Sequence, residues 1–265
     1  MEFIKIKTKP QKIDIVLMIL LPIVAAALTL IFKTNFLIST LLFFGLPSLY
    51  LSLRKPEIVP RSLIFTALFS IPLSIVIDYL AVMDKSWFVP ISLFNFRFLG
   101  VIPVEDFIWG FLYVFFIIMF YEYFLDFGKG EDRLAKNIKY FTVILLSLLI
   151  LFFLFLFVSP ELLHIKYFYL KAGIVLILFP LVAFLSFFPK FWAKYLKIGI
   201  YFLGLSLLFE LVGLQTNQWA FPGHNFIGFI EIFGLKIPFE EFLFWITLGV
   251  PWILSYYEFF ADDKR

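Results

Sequence analysis

Eight stretches of this chain are apolar over about 20 residues each, the length at which a helix crosses the hydrocarbon core of a bilayer. They run approximately over 13–32, 36–53, 62–83, 103–125, 138–158, 168–187, 195–213 and 238–259. Inside lipid no water satisfies a backbone N–H or C=O. Runs of this length therefore have one solution, a helix that pairs every group internally. Composition agrees. Hydrophobic residues make up 63% of the chain and charged residues 15%, with 40 Phe and a mean hydropathy of +1.01. A soluble domain carries about half apolar and about a quarter charged residues. The expected fold is all-α, a polytopic transmembrane bundle of about eight helices.

Loop charge sets the orientation of such a bundle. The N-terminus, 54–61, 126–139, 188–197 and the C-terminus hold sixteen of the 22 lysines and arginines. The opposite loops hold the other six: Lys33, Lys85, Arg97, Lys166, Lys171 and Lys236. Eight spans with both termini cytoplasmic follow, and the cell membrane is the expected location. The run after Lys5, Lys7, Lys9 and Lys12 is long enough to span and lacks a small-residue cleavage site, so it reads as a retained helix. The net charge of +3 reflects those basic loops and is no nucleic-acid footprint. The absence of Cys rules out disulfides and thiolate chemistry.

The chain repeats itself. Asp78, eight residues, Trp87, two residues and Pro90 recur as Glu210, Trp219 and Pro222, 132 residues later. Pro103-Val104-Glu105-Asp106-Phe107 recurs as Pro238-Phe239-Glu240-Glu241-Phe242 at an offset of 135. Tyr121-Glu122 recurs as Tyr257-Glu258 at an offset of 136. Preserved order and small drift indicate a tandem repeat, with halves 1–130 and 131–265. Four spans per half is an even number, so the halves lie parallel, related by a pseudo-twofold axis along the membrane normal. That axis would bring both Pro-x-Glu-acid motifs together on the face opposite the basic loops.

Six acids then call for an explanation. Glu105, Asp106, Glu240 and Glu241 fall in the first turn after a proline, where the helix dipole favours carboxylate. Acids there also satisfy free N–H groups at a wet interface. Asp78 and Glu210 lie near membrane depth, where ionisable groups are costly and mark function. Closely spaced carboxyls provide one protonated acid and one ionised base. Trp87 and Trp219 sit in the motif-face loops. Their ordinary role there is interfacial anchoring, and an aromatic face also stabilises a cation. Phe107 and Phe242 extend the aromatic set.

Absences narrow the chemistry. Only His164 and His224 are present, so a histidine-rich metal site is excluded. No dinucleotide or phosphate-cradling glycine motif occurs, and no cofactor is expected. No paired Asp-rich motif of the kind that holds magnesium and a diphosphate occurs.

At Asp78–Trp87 and at the two Pro-x-Glu-acid motifs the chain resembles the heterodimer-type carotenoid (lycopene) cyclases, in a fused form. The resemblance covers about 62–126 and 195–260. It implies non-redox cyclisation of the linear end groups of lycopene-like C40 carotenoids. The implied partners are a lipid-soluble polyene, membrane lipid and other carotenoid-pathway enzymes, with no nucleic acid and no metal. The implied catalytic carboxyls are Glu105 and Glu240, with Asp106 and Glu241 beside them. Asp78, Trp87, Phe107, Glu210, Trp219 and Phe242 would contact substrate. Related chemistries are end-group hydration and other polyprenoid modification. A proton-coupled transporter would instead spread its acids along a path across the membrane, and an inert assembly subunit would tolerate their loss.

Overall fold

The computed structural model describes residues 11–126 and 135–262. Lys5, Lys7, Lys9, Lys129, Arg133, Lys264 and Arg265, seven of the basic residues behind the orientation, lie outside that set. Among the described residues, seven helices are long and apolar enough to span: α1 Lys12–Phe32, α2 Phe36–Arg54, α3 Pro56–Met83, α4 Val104–Asp126, α5 Ile138–Val158, α6 Phe168–Phe187 and α7 Pro189–Gln215. The eighth, α8, is two segments, Glu241–Thr247 and Gly249–Phe260, bent by 44°. Together they form an all-α multi-pass bundle. The eight expected segments are all present. The third and seventh begin about six residues earlier than hydropathy indicates, because Pro56 and Pro189 each open a short 3₁₀ turn that leads into the helix.

The repeat is structural as well as sequential. The second span of each half carries a π-helical segment at the same place, Leu41–Gly45 and Gly173–Leu178. A short antiparallel hairpin precedes the fourth span of each half. The first pairs β1 (Arg97–Phe98) with β2 (Ile102–Pro103), and the second pairs β3 (Phe229–Ile232) with β4 (Leu235–Pro238). Each turn holds a left-handed residue followed by a left-handed glycine, Leu99-Gly100 and Phe233-Gly234. Each motif proline ends its hairpin and directly precedes the helix, rather than occupying the first turn.

The halves interlock. Within each half the third and fourth spans pack together, α3 on α4 and α7 on α8, and the second span lies on the fourth, α2 on α4 and α6 on α8. The first span crosses over: α1 packs on α7 and α5 packs on α3. Tyr201 in α7 donates to the Met18 carbonyl of α1 at 2.8 Å. Phe65 in α3 stacks on Phe141 in α5 at 5.7 Å between ring centroids. With no hydrophobic drive between helices in lipid, such close ring packing supplies the cohesion. α1 is further tied at its start. Asp14 is fully buried and accepts from Tyr50 at 2.5 Å and Tyr123 at 2.6 Å, with Arg54 at 3.1 Å.

Candidate functional site

The third span of each half ends in a cap that turns the chain back inward. In α3, the Ser86 amide donates to the Ala81 carbonyl at 2.8 Å, and Lys85 to Val82 at 3.0 Å. In α7, Gln218 donates to Gly213 at 2.8 Å and Asn217 to Leu214 at 3.2 Å. Lys85 and Asn217, at the left-handed position, have φ of 57° and 56°. These are Schellman caps. Their effect is to send Trp87 and Trp219 into the protein, where they are 9% and 3% exposed. The expectation that they anchor at the membrane interface is thereby corrected. Gly213 makes the room: a Cβ there would lie 2.0 Å from the Trp219 ring. Trp219 donates its indole N–H to Glu210 at 3.0 Å.

The two tryptophans wall a cavity of about 140 Å³ between the halves. Its lining draws equivalent residues from both repeats: Asp78 with Glu210, Ser74 with Ser206, Trp87 with Trp219, and Trp109 with Trp245. Glu241, Tyr113, Tyr169, Phe209 and Trp252 complete much of the wall. No lysine, arginine or histidine among the described residues lines it. The cavity therefore straddles the pseudo-twofold axis. Tyr113 lies flat on Trp109, 5.8 Å between centroids and 6° between planes, and its hydroxyl is 3.2 Å from that of Ser206.

The six acids divide into two groups. Asp78, Glu210 and Glu241 face the cavity. Asp106 is wholly buried beside them, within electrostatic range of Asp78, and neither of its oxygens has a hydrogen-bond partner among the described residues. Glu241 is likewise within range of Glu210. Glu105 and Glu240 do something else. Glu105 accepts from the Leu93 amide at 2.5 Å and the Ser92 hydroxyl at 2.8 Å, and Glu240 accepts from the Ile227 amide at 2.7 Å. Leu93 and Ile227 are equivalent positions. The leading glutamates thus hold the two motif-face loops, and they are absent from the cavity lining. Phe107 and Phe242 are absent from it too; Phe107 packs edge-on against Phe98 of β1.

Contacts between the halves flank the cavity on both sides. On the motif face, Phe88 and Ala220 bridge the halves through their main chains, and the Gly223 amide donates to the Lys85 carbonyl at 2.8 Å. A Cβ on Gly223 would lie 2.7 Å from that carbonyl oxygen, so glycine is required there. Toward the basic face, Phe69 on the cavity wall stacks on Phe65, which meets the Tyr257 ring at 5.2 Å. Below them lies a crossed ionic cluster. Tyr121 donates to Glu258 and Tyr257 donates to Glu122, so each tyrosine serves the other repeat's glutamate. Arg61 pairs with Glu122 and approaches Asp262, while its equivalent Lys194 pairs with Asp126 at 2.5 Å. Glu122, Asp126 and Asp262 lie close enough to share a cation, but Arg61 and Lys194 already supply positive charge.

Sequence reading missed Trp109, Trp245, Trp252, Tyr113 and Tyr169. In a chain with 40 Phe, single aromatics carry little signal. The pair Trp109 and Trp245 was accessible, because they sit at the repeat offset of 136. No protein-family model matches the chain, and no curated protein or solved structure matches it. Fold and site together define a multi-pass helical membrane protein with a carboxyl-bearing aromatic cavity on its internal symmetry axis.

Proposed function

We propose that the protein is a membrane isomerase that cyclises the linear end groups of lycopene-type polyenes, with both termini on the cytoplasmic side of the cell membrane. The observation that carries this reading is the cavity itself. Carboxyls from both repeats face one aromatic space, and among the described residues no cation lines it.

The chemistry suits those groups. A carboxylic acid adds a proton to the terminal double bond and leaves a tertiary cation. The neighbouring double bond attacks that cation and closes the ring. A carboxylate then removes a proton and sets the ring double bond. One proton enters and one leaves, so no oxidant, reductant or cofactor is consumed. Asp78, Glu210 and Glu241, which face the cavity, are the carboxyls for these transfers, which positioned acids and bases typically accelerate about 10²–10⁴-fold; Asp106, buried behind the wall beside Asp78, tunes them by its charge. The indole and phenol faces of Trp87, Trp109, Trp219 and Tyr113 offer negative quadrupole to the cation. Exclusion of water protects it from capture as an alcohol. Glu105 and Glu240 act as positioning residues, because they hold the motif-face loops.

The test is expression in lycopene-accumulating bacteria with chromatography of the pigments. Cyclic carotenoids from the parent, and retained lycopene from an Asp78→Asn/Glu241→Gln variant expressed at equal level, support the reading. Hydroxylated end groups from the parent would move it to hydration at the same carboxyls. Unchanged lycopene from a well-expressed parent would overturn it.

A further inference from the structure

The level of the hydrocarbon boundary on the motif face follows from α1 and α5, the least buried of the seven continuous spans. Each is 21 residues long, about 31 Å at the helical rise, which matches a hydrocarbon core of about 30 Å. Their motif-face ends, Phe32 and Val158, are both 70% exposed. The third span of each half ends at the same level. Gln218, in the cap of α7, donates to the Thr34 carbonyl just past α1 at 2.9 Å. Counted in equal rises from the Phe65–Phe141 stack, Val158 of α5 stands level with Val82 of α3.

The chain that follows does not rise away from this level. In α4, Gly110 sits against α3, where a Cβ on it would lie 3.0 Å from the Ser74 hydroxyl oxygen. The two helices are antiparallel, so Val104, where α4 begins, is level with Leu80, inside the end of α3. β2 packs on α3 and β4 packs on α7. The two hairpins therefore lie across the boundary rather than above it.

Their surfaces suit that depth. Ile91, Leu93 and Phe96 before the first hairpin are exposed, as are Ile227, Phe229 and Phe233 in and before the second, and Phe233 at its tip is exposed to 90%. Charge is turned away or neutralised. Arg97 donates back to the Val89 carbonyl at 2.8 Å and the Val101 carbonyl at 3.1 Å. Glu231 and Lys236 are cross-strand partners in the second hairpin, an opposite-charge pair. The strands satisfy each other's main chain, and at headgroup level their outer edges keep access to water.

We propose that the two hairpins and the loops leading into them are a lipid-binding surface, set in the boundary between headgroups and acyl chains of the motif-face leaflet. This surface continues the lipid-facing belt of α1 and α5. Leu93 and Ile227 are exposed within it while their amides donate to Glu105 and Glu240. The anchor is thus joined to the first glutamate of each motif. The inference stands independently of the cyclase reading.

The chain has no cysteine, so single positions can be labelled. Phe96→Cys and Phe233→Cys would each carry a nitroxide in phosphatidylcholine liposomes. Phe157→Cys, at the exposed end of α5, serves as the lipid reference, and Lys136→Cys, in an exposed turn on the basic face, as the water reference. The readout is collision with oxygen, which concentrates in lipid, against collision with a water-soluble nickel chelate. The oxygen-to-nickel ratio at Phe96 and Phe233 should exceed that at Lys136 several-fold and approach that at Phe157. A ratio equal to that at Lys136, at either position, would place that hairpin in water and overturn the proposal. Poor access to both reagents, with spin–spin broadening on full labelling, would show a second copy of the chain on this surface in place of lipid and would overturn it as well.

Discussion

The Phe88 amide donates to the Ala220 carbonyl at 3.0 Å, and the Ala220 amide returns the bond to Phe88 at 2.9 Å. The two residues hold the same place in their repeats, 132 apart. An antiparallel pair of equivalent residues places the pseudo-twofold axis through its centre. A hydrogen-bonded antiparallel pair holds its Cα atoms about 5.5 Å apart, within the span of a disulfide. The chain has no cysteine of its own. A Phe88→Cys/Ala220→Cys variant should therefore cross-link under mild oxidation, shown by a reductant-reversible change in gel mobility that neither single variant gives. No cross-link would place the axis elsewhere.

At the other end of the axis the crossed pairs are buried, so removing one partner leaves a stranded group. Arg61→Met leaves the Glu122 carboxylate without its cation at a site only 3% exposed for the arginine. Loss of one member of a buried ion pair costs about 3–5 kcal/mol. Tyr257→Phe removes one donor to the same carboxylate and should cost about 1–3 kcal/mol. Denaturant unfolding in mixed micelles should rank the variants in that order. Equal, negligible losses would mean that the cluster is not what joins the halves.

Gly213 and Trp219 offer a test of how the cavity wall is positioned. Any side chain at Gly213 meets the indole ring, so Gly213→Ala must displace it and disturb its hydrogen bond to Glu210. Overpacking of this kind costs about 1–3 kcal/mol. The expected phenotype is a folded protein with reduced turnover and altered Trp fluorescence. Lys85→Asn, in contrast, places a residue suited to the left-handed region at the equivalent cap and should leave turnover unchanged.

Much of this was legible in the sequence, and the reasons for the rest are local. Hydropathy located every span because lipid admits few alternatives to a helix. The paired motifs revealed the parallel repeat and named all six acids. Spacing alone could not separate Glu105 from Asp106: both lie in one helical turn, and the distinction arises when the amides of Leu93 and Ile227 take up the first glutamate of each motif. The inward turn of Trp87 depends on Lys85 adopting a left-handed conformation, which lysine does not advertise. The offset changes from 135 at Pro238 to 136 at Tyr257. That change marks one extra residue in the second half, accommodated by the π-helical segment Glu241–Thr247. The crossing of α1 onto α7 left no trace in hydropathy, because a lipid-facing helix face and a helix-facing one are both apolar.

The division of the acids leads to the most discriminating kinetic prediction. Glu241 faces the cavity, whereas Glu240, its neighbour, holds the Ile227 amide. Glu241→Gln keeps size and hydrogen-bonding capacity but removes the transferable proton, so turnover should fall about 10²–10⁴-fold with the fold intact. Glu240→Gln retains an acceptor for the Ile227 amide, so it should cost less than tenfold in turnover and show mainly as lower thermal stability. Glu105→Gln should behave as Glu240→Gln does, because the two hold equivalent loops. The measurement is initial rate and melting temperature for all three variants in the same lipid. A collapse of turnover in Glu240→Gln with Glu241→Gln unaffected would reverse the assignment. The proton transfers would then lie with the loop-bound glutamates, and the cavity acids would serve only to shape the wall.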